Sequence, residues 1–285
     1  MLNKQTNILI VGLGLMGGSY AAALSRKGYR VCALSLERRP IDYALARGWI
    51  MDGGLEPERF VPQADIIISC LYPTVFVEWV EKYQSIFKSG ALLTDVTGVK
   101  TQVVAQVQKI LRKDVEFIAA HPMAGRERSG VQYADPSVFE GANYIVVPTE
   151  KNTGLAIETC KYLGEELGFA HISELPPEKH DQMIAFLSQL THCIAVSLMN
   201  AGEDDSLVRY TGDSFRDLTR IAKINDEMWS ELFLINKEPL LKEMERFRHA
   251  FDALERTIRE DDREEMRRQM RVSTERRAKF DKQQK

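Results

Sequence analysis

Ile8-Leu9-Ile10-Val11 runs directly into Gly12-Leu13-Gly14-Leu15-Met16-Gly17-Gly18, and a helical stretch, Ser19–Lys27, follows. The glycines have the spacing GxGxxG, and they sit where the chemistry of that motif requires them, between a strand and a helix. Gly12 permits the tight turn, Gly14 lets a pyrophosphate approach the backbone, and Gly17 lets the helix pack closely on the sheet. Leu15 and Met16 open the helix, whose unpaired N–H groups and partial positive charge suit phosphate oxygens. The stretch therefore predicts a dinucleotide site at the first turn of an α/β sheet.

The choice of dinucleotide is read at the end of the second strand. NAD sites usually place Asp or Glu there to bind the ribose hydroxyls. Here the strand Arg30–Ser35 ends on a small neutral residue and is followed by Leu36-Glu37-Arg38-Arg39. Ser35 leaves room for a 2′-phosphate, and Arg38 or Arg39 can clamp it with charge-assisted bonds. The sequence leans to NADP over NAD, the alternative being Glu37 on the ribose with both arginines solvated.

Further along, β-branched runs alternate with helical segments: Asp65–Leu71, Ala91–Val96, Glu116–Ala120, Asn143–Pro148 and Ala170–Ser173 read as strands. Thr101–Leu111 and Thr153–Leu167 read as helices between them. Apolar strands separated by helices predict a parallel sheet covered on both faces, the doubly wound α/β class. After Pro176-Pro177 the pattern turns wholly helical. The expected division is thus an α/β domain over 1–173 and an all-α domain over 174–285. Near the end, Met244, Phe247, Phe251, Leu254 and Ile258 recur at helical spacing, a stripe that needs a partner surface.

Composition narrows the function. With 38 basic and 41 acidic residues among 285, the chain has no basic surplus for nucleic acid. Residues 242–285 carry 14 basic and 11 acidic residues, which reads as a solvated helical tail. The four cysteines have no metal-like spacing, so no metal is expected and reduced thiols are. Lys4, the apolar run Ile8–Met16 and Ala21-Ala22-Ala23 mimic a secretion signal, but the glycines interrupt it. No run of 18 apolar residues occurs, so no membrane partner is expected, and the location is expected to be cytoplasmic.

Ligands of open α/β sheets bind beyond the carboxyl ends of the strands. Two segments stand there: Thr94-Asp95-Val96-Thr97-Gly98-Val99-Lys100, and His121-Pro122-Met123-Ala124-Gly125-Arg126-Glu127-Arg128-Ser129-Gly130. His121 is placed to face a nicotinamide. The helical half adds His180-Asp181, Ser188-Gln189-Leu190-Thr191-His192, Phe215-Arg216-Asp217-Leu218-Thr219-Arg220-Ile221-Ala222 and Trp229.

In these motifs, taken in order over nearly the whole chain, the sequence resembles the prephenate/arogenate dehydrogenase family of tyrosine biosynthesis. The resemblance implies a Rossmann-type N-terminal domain and a helical C-terminal domain that forms a homodimer, with a small-molecule substrate between them. It also implies NAD(P)-dependent oxidative decarboxylation of prephenate to 4-hydroxyphenylpyruvate, or of arogenate to tyrosine. By position, His121 matches the histidine that takes the proton of the ring hydroxyl, and Arg220 the arginine that holds a substrate carboxylate. His192 matches a second histidine lining the substrate site, Glu127 and Asp217 match acidic positions that order the pocket, and Trp229 matches an aromatic linked to substrate selection. His180 reads as a support within the helical domain.

The residue types suit the reaction. A neutral imidazole can accept a hydroxyl proton near neutral pH, and a planar guanidinium suits carboxylates. Loss of CO2 is driven by aromatisation and needs no metal. Three departures stand out. The serine common in DxGSxK is missing, Thr97 and Gly98 occupying its place, so Thr97 becomes the candidate to replace it. SHLPH reads SQLTH, and Arg126, where many members carry a small polar residue, adds a cation near the site that is a candidate to bind substrate. Two other readings compete. Dehydrogenases of the 3-hydroxyacid or 6-phosphogluconate type use a catalytic lysine where this chain has His180, Asp181 and His192. A non-catalytic nucleotide sensor would have no need of His121, His192 and Arg220 together.

Overall fold

The apolar run before the glycine turn becomes a central strand of the main sheet, which the computed structural model describes together with the rest of residues 2–126 and 128–281. Among these residues the elements begin β1 (Asn7–Val11), α1 (Leu15–Arg26), β2 (Arg30–Leu34), α2 (Arg38–Ala46), β3 (Asp52–Gly54) and α3 (Pro57–Phe60). They continue with β4 (Ile66–Ser69), α4 (Pro73–Tyr83), β5 (Leu92–Asp95), α5 (Thr101–Ile110), β6 (Glu116–Phe117), β7 (Ala119–Met123), β8 (Asn143–Val147), α6 (Gly154–Leu167) and β9 (His171–Glu174). Helices follow: α7 (Pro177–Ile184), a π-helical turn (Ala185–Gln189), α8 (Leu190–Asn200), α9 (Asp213–Thr219), α10 (Asp226–Ile235), α11 (Lys237–Arg259) and α12 (Arg263–Ala278). The Rossmann-type α/β part and the helical part are thus both present.

The main sheet is parallel in the order β3-β2-β1-β4-β5-β6. Its strands are apolar on both faces because both are covered, and their period of two divides the core. Ile8, Ile10, Ile66 and Ile68 pack with α1 and α6 residues such as Tyr20, Leu24 and Leu163. Leu9, Val11 and Ile67 pack the other way, with Phe76 and Val80 of α4 and Val103 and Val107 of α5.

The segment expected as one strand, Glu116–Ala120, splits at Ile118. β6 continues the parallel sheet, whereas β7 pairs antiparallel with β8 in a second sheet, β7-β8-β9. Between β7 and β8 the described residues form short 3-10 turns and no crossover helix, so the chain returns antiparallel. α6 then supplies a crossover, and β9 lies parallel to β8. Ile118 stays tied to the first sheet, its amide donating to the Leu93 carbonyl at 3.0 Å.

Pro177–Asn200 is a continuous helical run of 24 residues, long and apolar enough by length and composition to cross a membrane. It also carries His180, Asp181 and Gln189, which are buried. Packing divides the chain into two compact units between Asn236 and Lys237. The second unit consists of α11 and α12. In it the apolar stripe lies on α11 as the spacing predicts, with Met244, Phe247, Phe251 and Ile258 exposed.

Candidate active site

At the first turn the glycines have the geometry of a phosphate cradle. Gly12 adopts φ +95°, and a Cβ there would meet the Cys70 carbonyl oxygen at 3.0 Å. A Cβ on Gly17 would come within 1.9 Å of the Gly12 carbonyl oxygen, so only glycine lets α1 start where it does. Gly14, the N-cap of α1, faces open space instead. Leu15 and Met16 form the first turn, so their N–H groups belong to a free helix N-terminus. These residues fit a bound pyrophosphate. Ser35 follows β2, its backbone N–H held by the Gly54 carbonyl at 3.2 Å. Arg38 pairs with Asp42 at 2.8 Å, and both arginines are exposed.

Beyond the carboxyl ends of β5 and β6, at the start of β7, lies a densely bonded floor. Asp95 and Lys100 have no exposed side-chain surface and pair at 2.6 Å. The Lys100 ammonium also donates to the Ala120 carbonyl at 2.6 Å and to Thr97 Oγ1 at 3.1 Å, which uses its three donors. Burial lowers the Lys100 pKa, opposed by Asp95 and Asp181. Asp95 accepts from the Thr97 amide at 3.0 Å and the Ala120 amide at 3.2 Å. The Thr97 hydroxyl turns inward onto the Asp95 carboxylate and lies 3.0 Å from the Val99 carbonyl. It is thus committed inside the loop. Gly98, the other residue at the departure from the family motif, abuts the His121 ring: a Cβ there would lie 3.9 Å from His121 Cε1.

His121 is half-buried on β7, next to the doubly held Ala120. Its Nδ1 lies 2.8 Å from His180 Nε2, and His180 Nδ1 lies 2.8 Å from Asp181 Oδ1. Asp181 in turn accepts from the backbone amides of Lys100 and Thr101, each at 2.8 Å, at the start of α5. Loss of solvent pushes the His121 imidazole well below the ordinary histidine value, and His180 and Lys100 push the same way. Burial also lowers His180, against the raising influence of Asp181. Burial tends to raise the Asp181 carboxyl, but hydrogen bonds from His180 and Thr101 outweigh it and hold the group below the usual carboxylate range.

The helical side approaches the same place through α10. Leu232 lies 3.6 Å from the Gly98 Cβ position, and one turn earlier Trp229 stacks on His192 with ring centroids 3.7 Å apart. His192 Nδ1 is 2.9 Å from the Ser188 carbonyl. Buried Gln189 donates to the Leu232 carbonyl at 3.0 Å and accepts from Asn236 at 2.8 Å, locking the π-helical turn to α10. Asp217 on α9 is exposed, as is Arg220, whose turn packs against α8, the helix of His192. Arg126 bonds Asp135 at 2.8 Å and Ser137 at 3.2 Å, and the Asp135 amide donates to Ser19 of α1 at 3.0 Å. That cation therefore ties the loop after β7 to the dinucleotide helix. Glu127 lies outside the described residues.

The sequence places Asp95, Lys100, His180 and Asp181 in candidate segments but assigns them no joint role, His180 reading as a support within the helical domain. The adjacency His180-Asp181 and the lysine closing the DVTGVK loop were the available signals. What made them a cluster is the meeting of α7 with the start of α5, about eighty residues apart in the chain. A different concavity, open and about 730 Å³, lies at the amino ends of β4, β5 and β6 and is lined by Asp65, Asp114, Glu116, Lys113 and Lys151. Its carboxylates are already bonded, Asp65 to Lys88 and Glu116 to Thr153.

A glycine phosphate cradle, a half-buried histidine at the carboxyl ends of the strands and a helical half meeting it define a nicotinamide-dependent dehydrogenase. The models for the nucleotide-binding and dimerization domains of prephenate dehydrogenase match residues 20–173 and 176–272. The prephenate dehydrogenase of Bacillus subtilis (strain 168) is 30% identical over 277 residues, 93% of this chain and 74% of that protein. A crystal structure of Aquifex aeolicus prephenate dehydrogenase, in complex with hydroxyphenyl propionate and NAD+, superposes with a TM-score of 0.90 at 30% identity, covering 99% of this chain and all of that one. Synechocystis arogenate dehydrogenase follows at a TM-score of 0.84 and 27% identity, over 97% and 100% of the two chains. The chain belongs to the prephenate dehydrogenase family.

Proposed function

We propose that the protein carries out the oxidative decarboxylation of prephenate to 4-hydroxyphenylpyruvate, releasing CO2, with His121 as the base for the ring hydroxyl. The observation that carries this reading is the His121 ring, half-buried at the carboxyl end of the sheet beside Gly98 and held at Nδ1 by His180. The bound dinucleotide, lodged on Gly12, Gly14, Leu15, Met16 and Gly17, supplies the hydride acceptor. A lowered pKa keeps the imidazole neutral at physiological pH, so it can take the proton as the hydroxyl-bearing carbon is oxidised. The resulting ring ketone accepts the electron pair left by the departing carboxylate, and the ring becomes aromatic.

Arg220 holds a substrate carboxylate, a task suited to a planar fork of donors. His192 and Trp229, stacked on each other, form one wall, with Asp217 and Glu127 ordering the pocket. Thr97, already bonded to Asp95, supports the floor beneath His121, while Arg126 acts at the rim through Asp135. For the cofactor we favour NADP, because Ser35 is small and Arg39 is exposed beside it. The reading includes a division near 173 into dinucleotide and substrate domains and a homodimer formed through the helical part, supported by the match to a dimerization domain. It also includes a cytoplasmic location, with Asp181 of Pro177–Asn200 bonded to the backbone at the start of α5 and to Asn236 after α10.

The test is a two-by-two assay of prephenate and arogenate against NAD and NADP, following reduced nucleotide and CO2. Turnover should be highest with prephenate and NADP. Silence in all four combinations would overturn the catalytic reading. Turnover of arogenate alone would reassign the substrate.

A further inference from the structure

We propose that His180 and Asp181 are positioning residues that set the tautomer of His121, so that its Nδ1 carries the proton and its Nε2 presents the lone pair to substrate. The inference rests on His121 as the base and adds how that base is wired. The argument starts at Asp181. Its carboxylate accepts backbone N–H bonds from Lys100 and Thr101 at the start of α5, a place that favours negative charge. An ionised carboxylate has no proton to give, so His180 Nδ1, 2.8 Å away, must be the donor.

A neutral imidazole carries one ring proton. With Nδ1–H pointed at Asp181, His180 Nε2 is left as an acceptor, and it lies 2.8 Å from His121 Nδ1. Only one assignment makes that contact a hydrogen bond between neutral rings: His121 donates from Nδ1. Its single proton is then spent, and Nε2 is the free base. The titratable groups facing this chain are Lys100 and Asp95 from the loop and strand below, besides the three residues themselves. Lys100 and Asp95 neutralise each other at 2.6 Å, so the carboxylate at the far end of the relay is Asp181. When His121 gains the hydroxyl proton, the positive ring keeps its Nδ1–H bond to a neighbour polarised by that carboxylate. No rearrangement of the chain is required.

Two substitutions separate this wiring from mere packing. His180→Phe retains bulk and removes the acceptor; His180→Gln places a carboxamide oxygen near the former Nε2. In the Phe variant turnover should fall roughly tenfold to hundredfold, with KM changed by less than about threefold. The Gln variant should recover most of that loss, because its oxygen can accept from His121 Nδ1–H. Nitrogen-15 spectra of histidine-labelled enzyme should show His121 protonated at Nδ1 in wild type and shifted towards Nε2 in the Phe variant. Equal losses in both variants, no loss in either, or a wild-type His121 protonated at Nε2 would overturn the proposal. If the Phe variant does not fold, the wild-type spectrum and the Gln variant still decide. Near-normal turnover of His121→Asn would instead remove the base assignment itself, a failure the spectrum of the wild-type ring does not mimic.

Discussion

Lys100 and Asp95, beneath the candidate site, have no exposed surface, and every donor of the lysine has a partner. Asp217 and Arg220, proposed for its helical edge, are exposed on a short helix and the turn after it. The contrast separates two ways of making a site. The floor is completed by folding, because a buried charge without its partner is strongly unfavourable. At the exposed edge, solvent screens whatever pairs the side chains make, so exchanging a partner for a ligand costs little stability. Changes to the floor should therefore act on rate and stability, and changes to the edge on affinity.

The largest effect is expected where floor meets substrate. His121→Asn should lower turnover by about 10²–10⁴ while dinucleotide still binds, as measured by steady-state kinetics and a fluorescence titration of reduced cofactor. In the wild type the acid limb of kcat/KM should lie below the ordinary histidine range. The neutral ring is the active form, and its lowered pKa means that protonation begins only at more acidic pH. A limb at or above pH ~6.5 would contradict the enclosure of that ring.

Next comes Lys100→Met, which strands the Asp95 carboxylate. Denaturant unfolding should show a loss of about 3–5 kcal/mol. A loss below about 1 kcal/mol would place the pair with ordinary surface bridges. Arg220→Ala, by contrast, should leave the unfolding midpoint unchanged and raise KM for substrate roughly tenfold to hundredfold, in line with one or two lost bonds to a charged group. A fall in turnover at constant KM would move Arg220 from the edge to the floor. The smallest effect is expected at Arg39→Ala, with a KM for NADP raised about threefold to tenfold and that for NAD unchanged. Equal changes for both cofactors would remove the basis for the NADP preference.

Much of the floor's position was legible in sequence, and little of its bonding. GxGxxG and the apolar runs place the turn and the strand ends because both follow from local backbone sterics and a period of two. The same reading puts His121 after a strand, whereas it lies within β7, because the chain runs on past Ile118 into the second sheet. Asp181 could not be connected to it, since its partners are amides of α5, and amides leave no mark in side-chain pattern. The split of Glu116–Ala120 was hidden because no glycine or proline marks a break within it; the choice is made by the loop that follows. Arg126 looked like a cation for substrate, yet Asp135 and Ser137 supply its partners at close range. Thr97 looked like a replacement for a hydroxyl facing the ligand. Its short side chain reaches Asp95 two residues back, and buried carboxylates compete well for local donors.

The π-helical turn Ala185–Gln189 has a rotational consequence. Twelve residues separate His180 from His192, and in an uninterrupted α-helix they would point about 120° apart around the axis. One extra residue taken up in the wide turn subtracts a step of about 100°, which leaves the two histidines about 20° out of phase. The wide turn thus works as a phase adjuster, aligning two rings that a regular helix would hold on different sides. Deleting a single residue such as Leu187, which is exposed on the helix surface, would let the turn close into regular α-helix with the two histidines still in phase, whereas straightening the turn at full length would swing every side chain of α8 by that step relative to α7.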